Sequence, residues 1–160
     1  MSLFQKLLIA TSMALTVLVA SMLVLVNNRQ TRDALRVADM TVIQNVLEIG
    51  YHDTAGYPLL PDAKAQYGIM GQGGFSTLCL DAQGKEQFKH SISSCTGRML
   101  LAALPRDPLF AGADAGAPCT NDPNNACEYT YSVSADGTNY RIVFRLEGPS
   151  GVRLKLKDLN

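Results

Sequence analysis

Four cysteines, two histidines and a scatter of carboxylates are the side chains able to do chemistry in this chain. His52 and His90 have no cysteine or carboxylate at a spacing that forms a recognised ligand motif. Cys79, Cys95, Cys119 and Cys127 contain no C-x-x-C, so a zinc site is a minor alternative. Asp114, Asp122 and Glu128 offer the oxygen donors that hard cations take, but without EF-hand spacing. Gly71–Gly74 precedes a strand-like segment, not a helix, so it is no phosphate loop. No nucleophile motif appears, and the expectation is a protein that is not an enzyme.

The cysteines point elsewhere. An even number in a small, loop-rich region suggests disulfides and an oxidising, extracytoplasmic compartment. Sequential pairing, Cys79 with Cys95 and Cys119 with Cys127, is the expectation, although four cysteines allow three pairings and spacing does not choose. The second pair would close a loop rich in Asp, Asn and Pro. Cations form the other pattern. Arg141 and Arg145 share one strand face; Arg153, Lys155 and Lys157 share another. If these strands pair, the cations make one stripe opposite the buried face. Such a stripe could grip nucleic-acid phosphates, with steep salt dependence. A charged outer face kept soluble is the favoured reading, and the formal net charge of +0 gives nucleic-acid binding no general support.

The elements that carry these residues begin with a long helix. From Met1 to about Pro58 there is no proline, and no glycine before Gly50. This predicts one helix of about fifty residues, roughly 75 Å long. Leu7–Val26 is apolar all round, and at about 20 residues it has the length that spans a bilayer core. Its Thr11, Ser12, Thr16 and Ser21 can bond back to the helix. A cleaved signal peptide is a weaker reading, because the run is long and no Ala-x-Ala site follows it. Arg29, Arg32 and Arg36 would favour a cytoplasmic head; the cysteines outweigh them.

From Thr31 to Asp53 the apolar residues recur at helical spacing. Leu35, Val42, Val46 and Ile49 form one row, and Met40, Ile43 and Leu47 form its neighbour, a stripe wide enough to cover a sheet. Arg29, Arg32, Arg36, Gln44 and Glu48 lie mainly outside it. Gly50, Gly56 and Pro58 are expected to end the helix, with Tyr51, His52, Asp53 and Tyr57 packing at the exit. Beyond it, Phe75–Leu80 reads as a short strand, Asp81–Gly84 as a turn, Arg98–Leu104 as a short helix and Pro105–Ala126 as a long loop. Tyr129–Val133, the Asp136-Gly137 turn and Tyr140–Leu146 make a hairpin, and Val152–Leu156 is the last strand.

Several segments together resemble the type IV pilin and type II secretion pseudopilin family. Met1-Ser2-Leu3-Phe4-Gln5-Lys6-Leu7-Leu8-Ile9 resembles the family's mature N-terminus. Tyr51-His52-Asp53 with Gly56-Tyr57-Pro58 resembles its helix exit. Leu104-Pro105-Arg106-Asp107-Pro108 resembles a segment of major pseudopilin-like heads, and Tyr129-Thr130-Tyr131 through Leu146 resembles the C-terminal hairpin. Each is weak alone and their order persuades. The chain departs at Gln5, where the family has Glu, and at Lys6. That carboxylate neutralises a neighbour's N-terminal amine in the apolar filament core, where unpaired charge is costly. Gln5 can bond an amine but cannot neutralise it. The family's Gly-Phe processing junction is absent, so Met1 is either a processed end or an initiator.

The resemblance implies an α+β fold: a long N-terminal helix on a small antiparallel sheet, with a disulfide-stapled head. It implies a filament-core or transmembrane half at 1–26 and a head at 27–160. The head divides into helix at 27–53, a loop-rich region at 54–128 and C-terminal strands at 129–160. The expected function is a structural subunit of a type IV pilus-like extracellular filament, with Met1, Gln5, Lys6, Leu7, Leu8 and Ile9 in assembly. Its partners would be further copies in a helical filament, the inner membrane before assembly, and pilus or secretion machinery. A minor pseudopilin of a secretion or DNA-uptake system is one alternative, and a membrane-anchored binding module that never polymerises is another. No cofactor is expected; calcium at Asp114, Asp122 and Glu128 is the one the family suggests, against solvated loop carboxylates as the plainer reading.

Overall fold

The unbroken apolar run folds as one helix, α1 (Leu3–Thr54), in a computed structural model that describes residues 3–60, 67–71, 74–110, 117–119, 127–148 and 153–156. The helix passes through Asn27 and Asn28 without interruption. Hydroxyls return to its backbone, Thr31 to the Asn27 carbonyl at 2.9 Å and Thr41 to the Val37 carbonyl at 2.9 Å. It stops where Ala55 turns left-handed, φ 57°, and donates its N–H to the Tyr51 carbonyl at 2.8 Å. Gly50, expected to help end the helix, instead lies buried inside it.

The head carries two antiparallel sheets. One runs β1 (Gly68–Ile69), β5 (Thr130–Val133), β6 (Tyr140–Arg145), β7 (Arg153–Leu156) in spatial order. The other is β3 (Glu86–Lys89), β2 (Thr77–Leu80), β4 (Met99–Leu101). In the register of β6 and β7, Ile142 pairs with Leu156 and Phe144 with Leu154. One sequence reading of the head needs correction, and one strand was not read at all. Arg98–Leu104 is not helical; it contains strand β4, preceded by a 3-10 turn at Ile92–Ser94. β3, with charges at both ends, carries no apolar alternation beyond Phe88 and escaped the pattern altogether.

Met40, Ile43 and Leu47 of α1 pack with Met70, Leu78, Phe88, Leu104 and the tyrosines at 57, 129, 131 and 140. The rings interlock, Tyr57 with Tyr140 at 4.5 Å and Phe88 with Tyr131 at 4.8 Å between centroids. The buried seam of α1 is narrower than the sequence suggested. It runs Arg36, Met40, Ile43, Leu47, Gly50, whereas Leu35, Val42 and Ile49 are 43% or more exposed. Alternating steps of four and three keep a seam on one face, and residues seven apart in a neighbouring row face away from it. Arg36, placed outside the stripe by its polarity, lies in the seam and is 1% exposed.

Candidate assembly helix and its clamp to the head

Residues 11–31 of α1 are exposed along their whole length, Val17 at 69% and Leu23 at 66% among them. This helix is long and apolar enough to cross a membrane by length and composition. Of the residues expected to act in assembly, Gln5 is an exposed helical residue, Lys6, Leu7, Leu8 and Ile9 lie on the first helical turns, and Met1 is outside the described residues.

The clamp begins one turn later. Arg36 Nε and Nη2 donate to Asp107 Oδ2 and Oδ1 at 2.7 and 2.8 Å, a two-pronged pair with both partners 2% exposed or less. Its Nη1 donates to Asp33 at 2.7 Å and to Glu147 at 2.7 Å. Arg32 grips the same Glu147 with two bonds of 2.7 and 2.5 Å. The backbone N–H of Glu147 in turn donates to Asp33 at 2.9 Å. The Arg32 bond, with Arg36 behind it, holds the Glu147 carboxyl down at about 2. Asp107 is preset for its part: it accepts the Leu109 N–H at 2.9 Å, at the start of the 3-10 turn Pro108–Phe110. A guanidinium fork matched to carboxylates from three segments satisfies a buried charge that would otherwise be costly.

Further along, helix acids receive tyrosine hydroxyls. Tyr129 donates to Asp39 at 2.9 Å, and Tyr57 to Glu48 at 3.0 Å. Tyr140 reaches Glu48 at 3.3 Å. The aromatic core therefore meets the helix through polar tips as well as ring faces.

Disulfides staple the loops. Cys79 is bonded to Cys95 and Cys119 to Cys127, the sequential arrangement. Glu128 differs from the open loop carboxylate expected of a calcium ligand: it is fully buried and accepts Arg106 Nε at 2.7 Å. Asp114 and Asp122 lie outside the described residues, among which no group of three or more His, Cys, Asp or Glu could hold a metal. Strand register sets Arg145 opposite Arg153 and Val143 opposite Lys155, with Arg141 across from Ser132. Lys157 is outside the described residues.

Sequence reasoning missed Arg36, Glu147 and Glu86, and saw Asp107 only as part of a segment. Strand alternation would have placed Glu86 inward beside Phe88 had β3 been recognised. No protein-family model matches the chain, and no curated protein or solved structure matches it.

Proposed function

We propose that the chain is a structural subunit of a type IV pilus-like filament that polymerises through the apolar half of α1. One observation carries this reading: an apolar half-helix with no cover continues, unbroken, into a segment locked to a disulfide-bridged head. A tether needs only about 20 apolar residues and a flexible join. A helix rigidly clamped to its head fixes the head's orientation relative to the apolar half, which lateral packing in a helical array requires. Disulfides fit a head outside the cytoplasm, so the chain would wait in the membrane as a single-pass protein before assembly machinery extracts it. Gln5 and Lys6 favour a second reading, a minor pseudopilin placed where the core carries few such charges.

Electron microscopy and peptide mass spectrometry of material sheared from native cells test the proposal. Thin filaments made mainly of this chain support a major subunit. Filaments containing it only in traces favour the minor pseudopilin, and complete retention in the membrane leaves the anchored binding module.

A further inference from the structure

β3 ends its sheet: β2 borders one of its edges and, among the described residues, no strand borders the other. The ladder to β2 uses alternate residues of β3 and its turn. The Asp81 N–H donates to the Lys85 carbonyl at 2.7 Å, and the Ser76 N–H to the Lys89 carbonyl at 3.0 Å. By the same alternation the N–H and C=O groups of Glu86 and Phe88 point the other way, off the open edge. Their side chains turn inward, the Glu86 carboxylate lying where a Cβ at Gly50 would stand. Lys85, Gln87 and Lys89 take the outer face.

A cleft of about 400 Å³ runs along this edge. Every residue from Lys85 to Lys89 borders it. Residues on alternating faces share only the backbone edge, so the cleft follows that edge. Its far wall is Tyr57, Leu59 and Leu60 with the turn at Gly137, held together where the Tyr57 N–H donates to the Gly137 carbonyl at 2.8 Å. Leu59 is 54% exposed there. Open main-chain groups beside an apolar wall are what an added strand uses: its backbone supplies the bonds and its alternate side chains find cover.

Charge selects the strand. Among the described residues no carboxylate pairs with Lys85 or Lys89. The two lysines stand about 14 Å apart along the strand. The nearby acids are held by their own turns. Asp136 accepts the Ser134 hydroxyl at 2.5 Å and the Thr138 N–H at 3.1 Å, and Asp81 accepts the N–H groups of Gln83 and Lys85 at 2.9 and 2.8 Å. A second copy of β3 added in antiparallel register would set lysine opposite lysine, which like-charge repulsion disfavours.

We propose that the open edge of β3 receives an extended acidic peptide as an added antiparallel strand, with carboxylates opposite Lys85 and Lys89 and apolar side chains between them against Tyr57, Leu59 and Leu60. The site goes beyond the filament reading and does not depend on it; a monomer in a micelle would bind as well as an assembled subunit.

The test is a titration of the full chain, in a non-ionic detergent, with acetyl-Ser-Glu-Val-Thr-Val-Glu-Ser-amide and with its counterpart carrying Lys in place of both Glu, followed by backbone amide shifts and by calorimetry. The acidic peptide is expected to saturate, to move the amides of residues 57–60 and 85–89, and to slow hydrogen exchange at the Glu86 and Phe88 N–H groups. It should bind at least about tenfold more tightly than the lysine peptide, and that ratio should shrink as salt is added. A third peptide, the acidic one N-methylated at both valines, lacks the donors that face Glu86 and Phe88 and should not saturate. These three peptides test the unaltered chain. Lys85→Glu with Lys89→Glu, one position exposed and one half-buried, should then reverse the preference between the two charged peptides. No saturable shift, equal binding of the two charged peptides, saturable binding of the N-methylated peptide, or an unchanged preference in the charge-reversed variant would each overturn the proposal. Movement of the same amides on concentrating the chain alone would assign the edge to a second copy and overturn it too.

Discussion

Asp107 and Glu86 are both carboxylates buried against one face of α1, at positions of that helix about four turns apart. At Arg36 the helix presents a guanidinium fork, and Asp107 fills it with two bonds. At Gly50 the helix presents a gap, and Glu86 fills it with no bond at all. The first contact is a closed electrostatic circuit; the second is a fit of shape with its polar group left open. Burial alone therefore says little about what a charge does. A paired acid fixes an orientation, whereas an unpaired one favours its protonated form.

Breaking the paired end should have the largest effect. Asp107→Ala leaves Arg36 buried without its main partner, at a cost of about 3–5 kcal/mol. A small domain holds only about 5–15 kcal/mol in total, so the head should be close to unfolded. Urea denaturation of the full chain in detergent measures this. The double change Arg36→Met with Asp107→Leu should recover more than half of the loss, because it removes both charges together. If Asp107→Ala costs under about 1 kcal/mol, the pair is no stronger than a surface contact and the contrast with Glu86 collapses.

At the open end the prediction is a reversal of sign. Gly→Ala inside a helix ordinarily stabilises by about 1 kcal/mol. Here the new methyl group would meet the Glu86 carboxylate. Overpacking of this kind costs about 1–3 kcal/mol, so Gly50→Ala should be a net loss. Adding Glu86→Ala should restore the ordinary gain. A thermal melt of the single and double variants decides the matter, and a stabilising single change would show that Glu86 gives way freely.

The two ends also differ in how much of them could be read from the residues. The long helix was legible because the absence of Pro and Gly over about fifty residues is a strong local signal. The hairpin was legible through Asp136-Gly137, and β6 and β7 themselves through their alternation. Arg36 was not. Its polarity suggested solvent, and its partner Asp107 lies 71 residues away, beyond any periodic pattern. Leu35, Val42 and Ile49 misled in the opposite sense: they are apolar at helical spacing yet exposed. Periodicity locates a face without saying which of two adjacent rows is covered. Glu86 was hidden because β3 shows only Phe88 as an apolar inward residue.

Titration separates the ends further. Glu86 has a folded carboxyl near 8, above the ordinary 4.5, so its contribution is fully present below about pH 4.5 and is lost as pH rises toward 8. That limb should be worth about 1–3 kcal/mol and should flatten in Glu86→Gln. Glu147, at the paired end, has a folded carboxyl near 2. Its contribution is present above about pH 4.5 and is lost as pH falls toward 2. Because Glu147 and Arg32 are partly exposed, solvent screening keeps this below about 1 kcal/mol. Stability should therefore fall on both sides of about pH 5, and only the alkaline fall should disappear with Glu86→Gln.

The smallest effect is the sharpest probe of the open end. Arg98 and Asp53 form an ion pair whose side chains are 60% and 43% exposed, so Arg98→Ala should change stability at pH 5 by less than about 0.5 kcal/mol. Its effect on the alkaline limb should still be visible. Asp53 raises the Glu86 carboxyl by like-charge repulsion, and Arg98 offsets part of that charge. Removing Arg98 should move the midpoint of the limb upward, and Asp53→Asn should move it downward. Opposite shifts with nearly unchanged stability at pH 5 would assign the limb to Glu86 through its own neighbour. Shifts of the same sign would mean that another group carries the limb, and that Glu86 is held by packing over Gly50 without titrating.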